Sequence, residues 1–153
     1  MTGEIKIDKV RREVKLGISK MDFLADNIYI EVKTPLTSLQ VDIGDHIKTK
    51  KIGKFNSTDR FVKHINELAN SLSDHERAIL LVCFIYDNPG FKVEVRSENS
   101  DYVQEQVESC SAKGMETWQA NFEITHLGVK LRKYFKLCNI SQLFKKQCFI
   151  KCR

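Results

Sequence analysis

Ala78 to Tyr86 reads Ala-Ile-Leu-Leu-Val-Cys-Phe-Ile-Tyr, an unbroken apolar run closed by the turn signal Asp87-Asn88-Pro89-Gly90. No other stretch narrows the choice of fold as much. The run is far short of the roughly 20 residues that a helix needs to cross a bilayer. Its branched residues and turn boundaries predict a strand buried on both faces, at the interior of a covered sheet. Covering a sheet takes helices, and the chain offers two. Phe61, Ile65, Leu68 and Leu72 recur at i, i+4, i+7 and i+11 behind the capping triplet Ser57-Thr58-Asp59, which predicts one amphipathic helix. On that reading Arg60, Lys63, His64 and Glu67 fall off the apolar stripe. Residues 100–113 predict a second helix with Tyr102, Val103, Gln106, Val107 and Cys110 inward, ended by Gly114.

The remaining segments read as strands. Met21 to Leu24 and Ile28 to Val32 flank the turn pair Asp26-Asn27, and so short a connection makes an antiparallel hairpin. Upstream, Lys6 to Val10 alternates and could open a strand, with Gly17 as an interruption. Thr117 to Thr125 alternates with Trp118, Ala120, Phe122 and Ile124 on one face, a half-buried strand whose Trp118 and Phe122 would fill the core. His126-Leu127-Gly128 then turns into Val129-Lys130-Leu131. The order β-β-β-α-β-α-β describes an α/β domain, a mixed sheet flanked by helices. Residues 1–137 form that domain and residues 138–153 a basic, Cys-containing tail. The connection from Thr34 to Phe55 is long enough to be functional or mobile.

Composition excludes several classes. The N-terminus lacks the apolar core of a signal peptide, so a cytoplasmic protein with no membrane partner is expected. The 5 cysteines include no Cys-x-x-Cys pair, which argues for reduced thiols over a disulfide framework or a zinc site. Net charge is +5, and the tail carries Lys145, Lys146, Lys151 and Arg153 with no acid. That distribution suits a polyanionic partner, and equally a mildly basic soluble protein.

The chemistry concentrates in Asp22 to Thr34. An acid-x-Lys triplet occurs three times, at Glu4-Ile5-Lys6, Glu13-Val14-Lys15 and Glu31-Val32-Lys33. Only the last is expected to have an acid on an adjoining hairpin arm, Asp22. In a strand, Glu31 and Lys33 share a face. Two carboxylates held together repel one another and favour a divalent cation, and a neighbouring lysine can orient an attacking water. That is equipment for phosphodiester hydrolysis. The competing reading is an exposed hairpin face with a cross-strand charge pair. Arg60, Lys63 and His64 could hold a phosphate or simply form a solvated helix face. Glu13 could join the cluster or pair with Arg11 or Arg12. His46, His75 and His126 read as surface residues.

These residues also carry a family likeness. Arg12-Glu-Val-Lys-Leu-Gly-Ile-Ser-Lys-Met-Asp-Phe-Leu24, Tyr29-Ile-Glu-Val-Lys-Thr34 and Thr58-Asp-Arg-Phe-Val-Lys-His64 resemble the C-terminal domain of the sugar fermentation stimulation (SfsA) family over roughly residues 11–135. The resemblance implies a restriction-endonuclease-like PD-(D/E)xK core and DNA binding, with nuclease activity or regulation of sugar catabolism. It implies Asp22, Glu31 and Lys33 as the catalytic centre. Mg²⁺ or Mn²⁺ would be held by Asp22, Glu31, the Val32 carbonyl and Glu13, with Ser19, Arg60, Lys63 and His64 supporting or contacting phosphate. Lys20, Thr34, Asn56-Ser57 and Phe61 depart from the family pattern, and the N-terminal OB-like barrel of longer members is not expected here. The expected function is thus a metal-dependent nuclease on DNA or RNA. The alternative is a non-catalytic DNA-binding regulator of sugar or maltose metabolism. Homo-oligomerisation is left open.

Overall fold

The computed structural model describes residues 7–34, 58–91 and 100–137. Strands β1 (Val10–Leu16), β2 (Ser19–Ala25) and β3 (Ile28–Lys33) lead into helix α1 (Thr58–Asn70) and a 3-10 turn, Ser71–Ser73. Strand β4 (Arg77–Phe84), helix α2 (Ser100–Ala112) and strands β5 (Glu116–Thr125) and β6 (Gly128–Lys136) follow. All six strands form one sheet in the order β1-β2-β3-β4-β5-β6. The β3–β4 and β4–β5 pairs are parallel and the other three antiparallel. The mixed α/β sheet expected from the sequence is therefore present. The connection 35–57, segment 92–99 and the tail 138–153 lie outside the described residues. No described helix is long and apolar enough to cross a membrane.

The two parallel crossovers decide where the helices go. Each moves one strand further in the same direction, and right-handed crossovers of that kind put both helices on the same side of the sheet. Ile65 and Leu68 of α1 and Val107 and Cys110 of α2 accordingly share one buried cluster with Leu24, Tyr29, Ala78 and Leu80. Along β4, Ala78, Leu80, Val82 and Phe84 are buried, while Ile79, Leu81 and Cys83 are only half-buried. This corrects the expectation of a strand buried on both faces. The run is interior to the sheet, yet the described helices cover one face of it.

Register extends the pattern across the sheet. Tyr29 pairs with Ala78, Glu31 with Leu80 and Lys33 with Val82 on the helix side. On the opposite side lie the rows Phe23–Ile30–Ile79 and Val32–Leu81–Trp118.

That register also turns over the expectation for β5. Thr117, Gln119 and Asn121 face the helices and are buried, whereas Trp118 and Phe122 are half-buried on the other side and Ile124 is exposed. Polar side chains occupy the core-facing positions because each amide has a partner there. Gln119 Nε2 donates to the Asn88 carbonyl at 2.9 Å and to Asn121 Oδ1 at 2.8 Å. Asn121 Nδ2 donates to the Asn88 carbonyl at 2.6 Å, and Phe91 N–H donates to Gln119 Oε1 at 2.7 Å. These bonds fasten the turn after β4 to β5. Alternation of apolar residues alone could not show which face would find such partners.

Three smaller corrections follow. Tyr102 is 46 % exposed rather than inward. The turn at His126-Leu127-Gly128 leads into a further strand, β6, which the order β-β-β-α-β-α-β lacks and which its ladder to β5 carries through Lys136. His75 is half-buried, its ring edge-on to Tyr29 with centroids 4.7 Å apart.

Candidate active site

The site grows from two hairpins that share β2. Gly17 takes the positive φ of +57° that the β1–β2 turn needs, and Ile18 N–H donates to Glu67 Oε1 of α1 at 3.1 Å. Asp26, also at positive φ, closes the β2–β3 turn, and its carboxylate accepts the N–H groups of Asp8 and Lys9 at 3.0 and 2.9 Å. The β2–β3 ladder pairs Ala25 with Ile28, Leu24 with Tyr29 and Phe23 with Ile30. One step further along stand Asp22 and Glu31. There Asp22 Oδ2 accepts the Val32 backbone N–H at 2.7 Å. The hairpin thus brings Asp22 beside the Glu31-Val32-Lys33 triplet, as the sequence led one to expect.

Glu31 is the pivot. Its register partner Leu80 lies under the helices, so its side chain is drawn inward and is 2 % exposed. Oε1 accepts from Lys33 Nζ at 2.5 Å and lies 2.7 Å from His64 Nδ1. Oε2 is buried and has no hydrogen-bond partner among the described residues. Lys33, two residues on, keeps a side chain that is 25 % exposed. The same-face geometry of an i, i+2 pair in a strand accounts for this contact.

His64 is placed differently from expectation. It is buried and turned toward Glu31, not displayed with Arg60 and Lys63 on an exposed helix face. The spacing contained the signal. His64 is three residues after Phe61 and four before Leu68, so it belongs to the same helical stripe. Arg60 and Lys63 are exposed on α1, Arg60 one turn ahead of His64.

The first triplet has an unexpected neighbour. Arg12 pairs with Phe23 and Val14 with Met21, so Glu13 stands across from Asp22. The argument that Glu13-Val14-Lys15 lacks an acid on an adjoining arm does not hold. Glu13 differs for another reason: its φ is +50°, the ladder skips it, and its exposed carboxylate pairs with Lys20 Nζ at 3.2 Å. The break has a packing consequence. Met21 and Leu24, three residues apart, are both buried in the helix-side core, which a regular alternating strand would not permit. Ser19, near the start of β2, is buried with a hydroxyl that has no partner among the described residues.

Asp22, Glu31, Val32, Lys33 and His64 are therefore brought together, while Glu13 points to Lys20. A cation would meet hard oxygen donors at Asp22 and Glu31, and the orphaned Glu31 Oε2 is a buried acceptor suited to one. Among the described residues no group of three Asp, Glu, His or Cys side chains is gathered tightly enough to hold a metal without rearrangement.

Residues 1–128 match the family model described as the sugar fermentation stimulation protein RE domain. The chain belongs to the SfsA family. Its sheet and helices thereby fall in the restriction-endonuclease-like class, as the sequence motifs implied. A solved structure of SfsA from Pyrococcus furiosus, in complex with Ca²⁺, superposes with a TM-score of 0.54 at 19 % identity. The likeness covers 84 % of this chain and 53 % of that one, so this SfsA-family chain spans about half the length of that relative. At that identity the comparison supports the fold alone. No curated protein matches the chain in sequence.

Proposed function

We propose that this SfsA-family domain is a divalent-metal-dependent nuclease acting on phosphodiester bonds of DNA or RNA, with Asp22, Glu31 and Lys33 as its centre. One observation carries the reading: Glu31 holds a carboxylate in the core, bonded to Lys33, on the strand next to Asp22, with one oxygen unpartnered among the described residues. Burying a carboxylate is costly unless something compensates it, and among the described residues this one is compensated on one oxygen. The Ca²⁺ bound by the Pyrococcus furiosus relative supports a divalent cation here. Mg²⁺ or Mn²⁺, when bound, supplies Lewis-acid polarisation of the scissile phosphate.

The protein groups act around that centre. Asp22 and Glu31 would offer oxygen ligands, with the Val32 carbonyl as a further donor. Lys33, whose side chain is 25 % exposed, orients the attacking water and steadies charge developing on the phosphate. His64 holds the Glu31 carboxylate in place from below. Exposed Arg60 and Lys63 contribute charge-assisted contacts to the nucleic-acid backbone. Ser19 stays in a supporting role, and Glu13, expected as a metal ligand, pairs instead with Lys20.

A second reading has its own observation. Asp22 already accepts the Val32 N–H, and no three-ligand group stands assembled among the described residues. Both features suit a nucleic-acid-binding module that does not cleave, a regulator of the kind the family resemblance implies. The test is incubation of plasmid and single-stranded DNA with Mg²⁺ or Mn²⁺, with Asp22→Ala and Lys33→Ala as controls. Cutting that both variants lose supports the nuclease. Retention of DNA without cutting, weakened steeply by salt, refutes it in favour of the binder.

A further inference from the structure

Strands β5 and β6 carry an aromatic pair on the face of the sheet turned away from α1 and α2. Trp118 is half-buried there, and Tyr134, 63 % exposed, lies beside it with ring centroids 6.3 Å apart. The indole is anchored. Its Nε1 donates to Glu116 Oε2 at 2.9 Å, and Arg77 grips the same carboxylate through Nε at 2.7 Å and a terminal guanidinium nitrogen at 3.0 Å. Lys136, in register with Trp118, stands 3.2 Å from Glu116 Oε2. One carboxylate thus holds two cations and a tryptophan ring on this face.

The surroundings are basic. Strands β4, β5 and β6 hold Arg77, Lys130, Arg132, Lys133 and Lys136 against the acids Glu116 and Glu123. Asp87, just beyond β4, pairs with Lys133 at 2.6 Å. Positive charge stays in excess when all three acids are counted. The four cations of β6 are exposed, and β6 is the edge strand, so long side chains from either of its faces border the aromatic pair.

We propose that this surface binds single-stranded nucleic acid, with unpaired bases stacked on Trp118 and Tyr134 and backbone phosphates on the cations of β6. Rings accept a base of any identity by its face, and a neighbouring basic strand follows the backbone. A duplex keeps its base faces stacked on one another and offers none to the rings. An apolar protein partner fits worse, because it would have to take the Arg77–Glu116–Lys136 cluster out of water. The anchored indole favours binding, since less side-chain freedom is lost when a base arrives. The surface is on the opposite side of the sheet from the Glu31 carboxylate and needs neither metal nor cleavage. The inference therefore goes beyond the nuclease reading and shares with it only the class of polymer.

Trp118 is the chain's single tryptophan, so its fluorescence reports on this surface directly. The experiment titrates the full chain in EDTA with oligothymidine of about 12 nucleotides, and separately with the same strand annealed to oligodeoxyadenosine. The expected result is saturable quenching by the single strand, with little quenching by the duplex. Tyr134→Ala, at an exposed position, should weaken the single-strand affinity about tenfold. Trp118→Leu, followed by anisotropy of a labelled oligothymidine, should weaken it by a similar factor. Absence of quenching in the parent, equal affinities of the parent and Tyr134→Ala, or quenching by the duplex as strong as that by the single strand overturns the proposal. The assay holds no divalent metal and reads no cutting, so its failure leaves the nuclease reading standing, and a failure to cut leaves this surface standing.

Discussion

Replacing either partner of the Glu31–Lys33 pair should change stability in opposite directions. Glu31 is 2 % exposed and its Oε2 has no partner among the described residues, while the Lys33 side chain is 25 % exposed. Lys33→Met therefore strands a buried carboxylate with His64 as its remaining partner. Removing one member of a buried pair costs about 3–5 kcal/mol, and the partial exposure of Lys33 reduces that to about 1–3 kcal/mol here. Glu31→Gln removes the desolvated charge itself, keeps a carbonyl to accept from Lys33 and His64, and lets the freed ammonium reach water. The expected change is between neutral and about 1 kcal/mol stabilising. The assay is urea unfolding at pH 7.5, comparing midpoints at unchanged slope. A Glu31→Gln variant less stable than Lys33→Met would refute the reasoning, for it would show that Glu31 is a structural anchor and not a group retained against stability.

Three further outcomes are expected. Saturating Mn²⁺, at about 100 times its dissociation constant, should stabilise the domain by about 2.7 kcal/mol, a rise of roughly 5–10 °C in melting temperature; differential scanning fluorimetry should show the rise in the parent and lose it in Asp22→Asn. Gly17→Ala should destabilise by about 1–2 kcal/mol in urea titrations, because φ is +57° and the added Cβ would stand 3.0 Å from Glu67 Oε1. The Arg77 guanidinium, bonded to both Glu116 oxygens at 2.7 and 3.0 Å, and secondarily Trp118 and Lys136, hold the Glu116 carboxyl down to about 2 against the opposing effect of burial. A depressed carboxyl adds stability above its unfolded value, near 4.5, and loses it as pH falls toward 2. The ceiling is about 3 kcal/mol, screened by solvent to about 1–2 kcal/mol, so Glu116→Gln should flatten the fall in unfolding free energy between pH 4.5 and 2.

What was legible in the sequence was local. The turn pair Asp26-Asn27 placed two strands side by side, and that alone brought Asp22 to the Glu-Val-Lys triplet. Period-two spacing put Lys33 with Glu31. The helix over 58–70 followed from its cap and its stripe. What the sequence did not show depends on pairings between distant segments. Whether Gln119 or Trp118 would face the core rested on the loop at Asn88, 31 residues upstream of Gln119. Whether the apolar run of β4 would be covered twice rested on the hand and direction of two crossovers.

The site shows the same division within a few residues. Glu13 and Glu31 sit in identical triplets, and both stand beside Asp22, on opposite sides of β2. Local sequence cannot separate them. The separation comes from what lies behind each strand. Glu31 is in register with Leu80 under α1, so its carboxylate is drawn into the core and meets His64. Glu13 is on the edge strand, where a left-handed backbone turns it out to Lys20 and water. A carboxylate's electrostatic interactions strengthen as it loses its water, and of these two glutamates it is Glu31 that position in the sheet buries. The motif therefore identifies the candidates, and the order of strands selects between them.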